Sequence, residues 1–328
     1  MAENKGLLSG GFGMVTRNKR YIVWFYLLNL ALAWLGLAAF RSQASTVLDH
    51  SLFSDRLMHG FDVGVFIELL SRPEFGPTNA ASFSAVHFAL LFFVFTAIFL
   101  PGVFQGYAST YRLPREDFFR ACGRNLWRFI RLMIIAGIVM GIFAGILFAL
   151  NGALVKSAGE STNEMLPFEV RIAGLTIIFL VMTVLRIWFD LAEADVVLND
   201  QRAVRKSIGT AFRHTFRSLG RLLASYVVAT ILAIIFLAAG ILAWMKLVPP
   251  ESLVGAFLIS QLTLLLLLIP RFWQRGIAVS YWQQRMLIPV VQEVPIAPLV
   301  PQPLPVVVAP DPEPLAPILP TPPVEPQP

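Results

Sequence analysis

The sequence predicts an all-α fold, a polytopic six-helix transmembrane bundle, and three observations carry that expectation. The chain has 328 residues, of which 56% are hydrophobic and only 14% charged, against about 25% charged in an average soluble domain. Six apolar stretches recur, each close to the ~20 residues a helix needs to cross a ~30 Å hydrocarbon core. The basic residues fall mostly into alternate connections between those stretches, as the positive-inside bias requires. With a mean hydropathy of +0.69, the chain has too little polar surface to cover a water-soluble globule, which excludes a soluble cytosolic or secreted protein.

Residues 1–20 form a short basic N-terminal segment, and residues 21–288 the membrane domain. Its spans are Tyr21–Phe40, Phe83–Tyr107, Leu126–Leu150, Val170–Phe189, Leu222–Trp244 and Leu253–Ile269. The fourth has only fourteen residues between Arg171 and Arg186, but long cationic side chains snorkel to opposite interfaces and let it cross. The first apolar run is about 20 residues, longer than the 7–15 of a signal-peptide core, so it reads as a retained helix. Between the first two spans, residues 41–82 mix Leu52, Phe53, Phe61 and Phe66 with Asp49, Asp55, Asp62 and Glu68. That mixture predicts an outer amphipathic cap packed on the bundle. From Pro289 the composition changes: fifteen of the last forty residues are proline and none is basic. Residues 289–328 therefore read as a disordered, Pro-rich cytoplasmic tail without a core. Its P-x-x-P spacing suits docking of a cytoplasmic partner, while a solvated tail with no partner is the leading reading.

Nineteen of the twenty-six Lys and Arg residues lie in the N-terminal segment, the second and fourth connections and the stretch after the last span. The expected orientation places both termini in the cytoplasm, with the chain multi-pass in the cell (cytoplasmic or inner) membrane. The pI of 9.8 is then a topology signal, and no nucleic-acid partner is expected. Two of the basic entries share a pattern. Phe119-Arg120-x-x-x-Arg124-x-Leu126-x-Arg128 precedes the third span and Phe212-Arg213-x-x-x-Arg217-x-Leu219-x-Arg221 precedes the fifth. Arginines at i, i+4 and i+8 share one helical face. They predict amphipathic elbow helices lying on the cytoplasmic leaflet, where each basic residue near anionic lipid is worth about 1 kcal/mol. The exits match too, Arg186-x-Trp188 and Arg271-x-Trp273. Spans 3–4 and 5–6 thus read as two copies of one hairpin, with spans 1–2 a diverged third.

Two further constellations stand out. Gly137-x-x-x-Gly141-x-x-x-Gly145 gives the third span a groove of small residues, which suits packing within the bundle or in a homodimer, the bundle being the preferred reading. At the end of the fourth span, Arg186, Asp190 and Glu193 crowd together at a depth where Arg271 and Arg275 should lie on the sixth. They predict an inter-helix ion network, structural in role. The membrane interior holds few polar groups, Asn29 and Gln261 being its amides. No phosphate-binding, zinc-protease, nucleophile-elbow or dinucleotide motif occurs,. Cys122 is the single cysteine, which excludes a disulfide framework and a multi-thiolate metal site. His50 and His59 near Asp49, Asp55 and Asp62 read as a solvated face. Catalytic, cofactor and metal sites are accordingly expected to be absent.

Three short motifs carry a family resemblance: Arg17-Asn18-Lys19-Arg20, Leu57-x-x-Gly60-Phe61-Asp62, and Asp190-x-Ala192-x-x-x-Val196-x-x-x-Asp200-x-Arg202 followed by Phe212-Arg213. On these the chain, from Arg17 to about Met286, resembles a family of uncharacterised bacterial six-span membrane proteins. That family is similar to the membrane domain sometimes fused to glycerophosphodiester phosphodiesterases. The resemblance implies a bacterial membrane location and a helical bundle, without the phosphodiesterase half. The expected function is a non-enzymatic membrane scaffold or accessory protein engaging anionic lipid. The alternative is a transporter or channel for an unidentified solute, with a polar cavity reaching Asn29 or Gln261. Oligomeric state is not legible.

Overall fold

The computed structural model describes residues 6–48, 64, 80–109, 111–161, 163, 165–249 and 252–285. The described residues are all-helical and contain no strand. The expected cap over 41–82 falls mostly outside them, as do the tail 289–328 and the loop histidines His50 and His59. Eight helices follow in order: α1 Leu7–Arg17, α2 Lys19–Leu48, α3 Ala80–Ala108, α4 Arg115–Ala158, α5 Leu166–Leu198, α6 Val204–Arg217, α7 Leu219–Leu247 and α8 Leu253–Arg285. Among the described residues five helices (α3, α4, α5, α7 and α8) are long and apolar enough to cross a membrane.

The helices start and stop for local reasons. Pro114 precedes α4, and Glu116 and Asp117 in its first turn complement the positive end of the helix dipole,. Pro167 stands in the first turn of α5 beside Glu169, where its missing N–H costs nothing. Asn18 separates α1 from α2 at φ −117°, and Ser218 separates α6 from α7 at φ −124°. The basic entry to α4 has no such break. The helix runs 44 residues without interruption, about 66 Å at 1.5 Å per residue. This corrects the expectation of an elbow before the third span. The helices also overrun the apolar windows: α4 continues past Asn151 and Gly152 to Ala158, and α8 past Pro270 to Arg285.

The packing repeats three times. Inner helices α3, α5 and α8 touch one another, while α2, α4 and α7 each wedge between two of them. Each inner helix also receives a basic entry segment: the start of α4 on α3, α6 on α5, and α1 on α8. An aromatic contact marks each case. Phe119 meets Phe99 with ring centroids 6.4 Å apart, Phe212 meets Trp188 at 5.1 Å, and Phe12 meets Trp273 at 5.4 Å, all edge-on. In two of the three the indole N–H also donates to the entry segment, Trp188 to the Ile208 carbonyl and Trp273 to the Leu8 carbonyl, both at 2.9 Å. The ring of contacts is therefore closed by α1 returning to the last helix. Where α1 crosses α8 the backbones meet directly: a Cβ on Gly276 would lie 2.6 Å from the Gly11 carbonyl oxygen.

The core gathers at the end of the bundle where those segments pack. Tyr21, Phe104, Tyr107, Phe118, Phe129 and Phe272 are fully buried there. A second cluster around Ile187, Leu191, Leu222 and Tyr226 adjoins it. The apolar windows of α4, α7 and α8 bury little of themselves, 11%, 6% and 11%, whereas that of the inner helix α3 is half buried. Exposed Ile, Leu and Phe side chains cover these stretches, as a lipid solvent requires and water would not tolerate.

Candidate functional site

Two groups of residues stand out at the basic end, one exposed and one buried. The exposed group holds the arginines of the two entry patterns. Arg120 is bound to Glu116 at 2.7 Å and Asp117 at 3.3 Å. Arg128 donates to Asp200, in the turn between α5 and α6. That bond is the main reason the Asp200 carboxyl titrates below its usual range,. Asp200 has φ +49°, a left-handed conformation that Asp tolerates better than most residues, so the ion pair also fixes the turn that launches α6. Arg124, Arg213, Arg217 and Arg221 are exposed and make no ion pair within 4 Å among the described residues. Arg221 lies past the Ser218 break, on α7, so the second stripe turns a corner that the first does not.

On α6 the exposed arginines stand beside exposed rings. Val204, Ser207, Ala211 and Thr215 form its buried face. Phe212 and Phe216 are exposed and stack on each other at 4.5 Å. His214, between them, is pushed below the usual imidazole range, first by burial and then by Arg217. Tyr281 reaches it from α8, its hydroxyl 3.5 Å from His214 Nδ1 and donating to Ser218 Oγ at 3.0 Å.

The buried group is the charge cluster where α5 and α8 meet. Arg186 Nε lies 3.8 Å from Asp190 Oδ2, one turn along α5. The Tyr226 hydroxyl donates to the same oxygen from α7 at 2.9 Å. Gln274 on α8 donates to Thr230 Oγ1 at 2.9 Å and to the Tyr226 carbonyl at 3.4 Å. Arg271 and Arg275 do not close an ion pair with Asp190 or Glu193 within 4 Å. Their guanidiniums face rings instead, Arg275 over Phe272 at 5.4 Å and Arg271 over Phe92 at 5.9 Å, where the cation meets a negative π face. Glu193 Oε2, Arg275 Nε and the Tyr107 hydroxyl are buried without a hydrogen-bond partner among the described residues. Tyr226 and Gln274 were not singled out in the sequence. A tyrosine inside an apolar span is the signal available, since its hydroxyl needs a partner when buried.

The glycine stripe departs from expectation. Gly137, Gly141 and Gly145 are exposed, and a Cβ on any of them would meet nothing within 4 Å. The buried face of α4 runs through Leu132 and Ala136 and resumes at Asn151 and Ala158, and the three glycines lie off it. At the membrane level, close contacts occur instead where Gly174 meets Asn151 and Gly240 meets Thr263.

Arrangement and composition together define a multi-pass, all-helical membrane protein with a charged, tightly packed end. No protein-family model, curated protein or solved structure matches the chain.

Proposed function

We propose that this chain is a non-enzymatic scaffold or accessory protein of the cytoplasmic (inner) membrane, anchored to anionic lipid by its basic face. The observation that carries the reading is the set of four exposed arginines without ion pairs among the described residues, Arg124, Arg213, Arg217 and Arg221. Charges meant only for solubility would be mixed with acids, whereas α6 has no acidic residue at all. Its exposed Phe212 and Phe216 beside Arg213 and Arg217 match the mixture of aromatic and cationic groups that holds a helix in a lipid headgroup layer. On this reading α1 and α6 are elbows lying on the leaflet. The 30-residue α2 is the sixth span, both termini are cytoplasmic, and the Pro-rich tail is available to a cytoplasmic partner.

The test uses the full chain in bilayers of phosphatidylcholine and phosphatidylglycerol carrying spin-labelled lipid. The motionally restricted lipid at the protein surface should be enriched in phosphatidylglycerol. Replacing the four arginines by glutamine should abolish that enrichment, and raised salt should weaken it. An unselective lipid shell around the wild-type protein would end this reading. A solute flux lost in Gln261→Leu would install a transporter in its place; the Gln261 amide oxygen accepts a bond from Tyr26 at 3.1 Å.

A further inference from the structure

The three packing repeats are not equivalent, and the difference lies in one crevice. Four residues before the entry ring stand Leu8 in α1, Ile208 in α6 and Arg115 in α4. In the first two repeats the carbonyl of that residue takes the indole N–H of Trp273 or Trp188. The third has Phe99 at the tryptophan position, and phenylalanine has no N–H to donate. Beside it a cavity of about 530 Å³ opens, lined by Trp24, Leu27, Leu28, Phe99, Phe119 and Arg115. That volume lies within the range of small-molecule sites.

Among the described residues the lining is apolar except for Arg115. This guanidinium is exposed and makes no hydrogen bond or ion pair among the described residues. The neighbouring carboxylates of Glu116 and Asp117 bond Arg120 and not Arg115, which leaves the N–H groups of Arg115 available to a ligand. Pro114 caps α4 without a side-chain hydrogen bond, so the amides of the first turn lack a side-chain acceptor there. A cavity of similar size between α7 and α8, bordered by Trp244, Phe257 and Leu264, has no charged residue among the described residues that line it. Hydrocarbon alone satisfies that one. An apolar cleft with one cation that has no partner among the described residues, at the basic end, calls for a molecule with an apolar tail and an anionic head.

We propose that the crevice between α2, α3 and the start of α4 holds an acyl chain of one anionic phospholipid, with the phosphate on Arg115. The site deepens the reading of the basic face as a lipid anchor and rests on it for orientation, but its residues are separate from the four unpaired arginines. The full chain, purified in detergent with added phosphatidylglycerol or phosphatidylcholine, is examined by native mass spectrometry. The wild type should retain one phosphatidylglycerol in preference to phosphatidylcholine. Arg115→Gln should lower that retained population about fivefold, the loss expected for one basic contact to anionic lipid. Phe99→Trp should lower it as well by closing the crevice as the other two repeats are closed, and it should leave the thermal midpoint at or above wild type. The four-arginine variant should keep the retained lipid while losing its selective lipid shell. Retention at wild-type level in both Arg115→Gln and Phe99→Trp overturns the site, as does equal retention of the two lipids by the wild type. Loss of the shell preference with the bound lipid intact, or the reverse, shows which of the two readings has failed.

Discussion

At the scale of single residues, the glycines divide by what stands opposite them. Gly11 and Gly276 let α1 and α8 touch backbone to backbone, with no room for a methyl group on either side. Because the obstacle is backbone, a larger side chain there must push the helices apart, a strain of about 1–3 kcal/mol. Gly276→Ala should therefore lower the thermal midpoint of the detergent-solubilised protein and weaken the Trp273 bond to Leu8. Gly141→Ala should leave the midpoint unchanged or raise it slightly, since a methyl group there meets open space and alanine is the better helix former,. A scan of both variants by intrinsic fluorescence checks the contrast, and equal effects would contradict this packing. The two kinds of glycine look alike in sequence. A small-x-x-x-small spacing says that a helix is able to approach, while the presence of one depends on where the neighbours diverge.

At the scale of elements, α6 shows how a short helix takes its charge state from what it packs against. Burial and Arg217 both disfavour the protonated ring of His214, opposed by Asp195, with Tyr281 and Ser218 completing its surroundings. The sign follows from linkage: the folded pKa lies below the unfolded value of 6.5, so just below that pH the unfolded chain binds more protons than the native one. The stability contribution is whole above about pH 6.5 and is lost as the pH falls through the window beneath it. The thermal midpoint should drop between pH 7 and 5.5, and the drop should shrink in His214→Gln. An unchanged pH slope in that variant would remove His214 from the account. Asp200, held low by Arg128, works in the same direction at more acidic pH, because its bond is lost once the carboxylate is protonated. Much of this element was legible beforehand. The Phe212-Arg213 pattern announced an amphipathic basic helix, and hydropathy marked the α7 that follows. Its partner was not legible, because the bond between Trp188 and Ile208 pairs an indole with a backbone carbonyl, which carries no side-chain signature. The same limit hid α1. With Gly13 where the other copies have Arg120 and Arg213, the first repeat shows only its Phe12 and Arg17, and its contact with α8 spans nearly the whole chain.

At the scale of the whole molecule, charge and packing point the same way. Three inner helices, three wedged outer ones and three basic entries converge at one end, and the arginines that have no acidic partner among the described residues emerge there. A bundle tight at one end and lipid-covered along its spans gains little from hydrophobic association in the bilayer. Its register then depends on the ordered end, where Tyr226, Asp190, Gln274 and Thr230 hydrogen-bond across α5, α7 and α8. That arrangement requires the connections to alternate strictly across the membrane, and the single Cys122, which is buried, leaves a clean background for testing it. Cysteines placed one at a time at exposed Tyr111 and Ala203 should be shielded from a membrane-impermeant maleimide in intact cells and should label once the membrane is opened. Cysteines at exposed Ser161 and Pro249 should label from outside at once. All four positions lie in connections between described helices, so the pattern tests the crossing of α4, α5 and α7 independently of the cap and the tail. If Ala203 labels with Ser161, then α5 does not cross, and Arg186, Asp190 and Glu193 belong to a surface cluster and not to a membrane boundary.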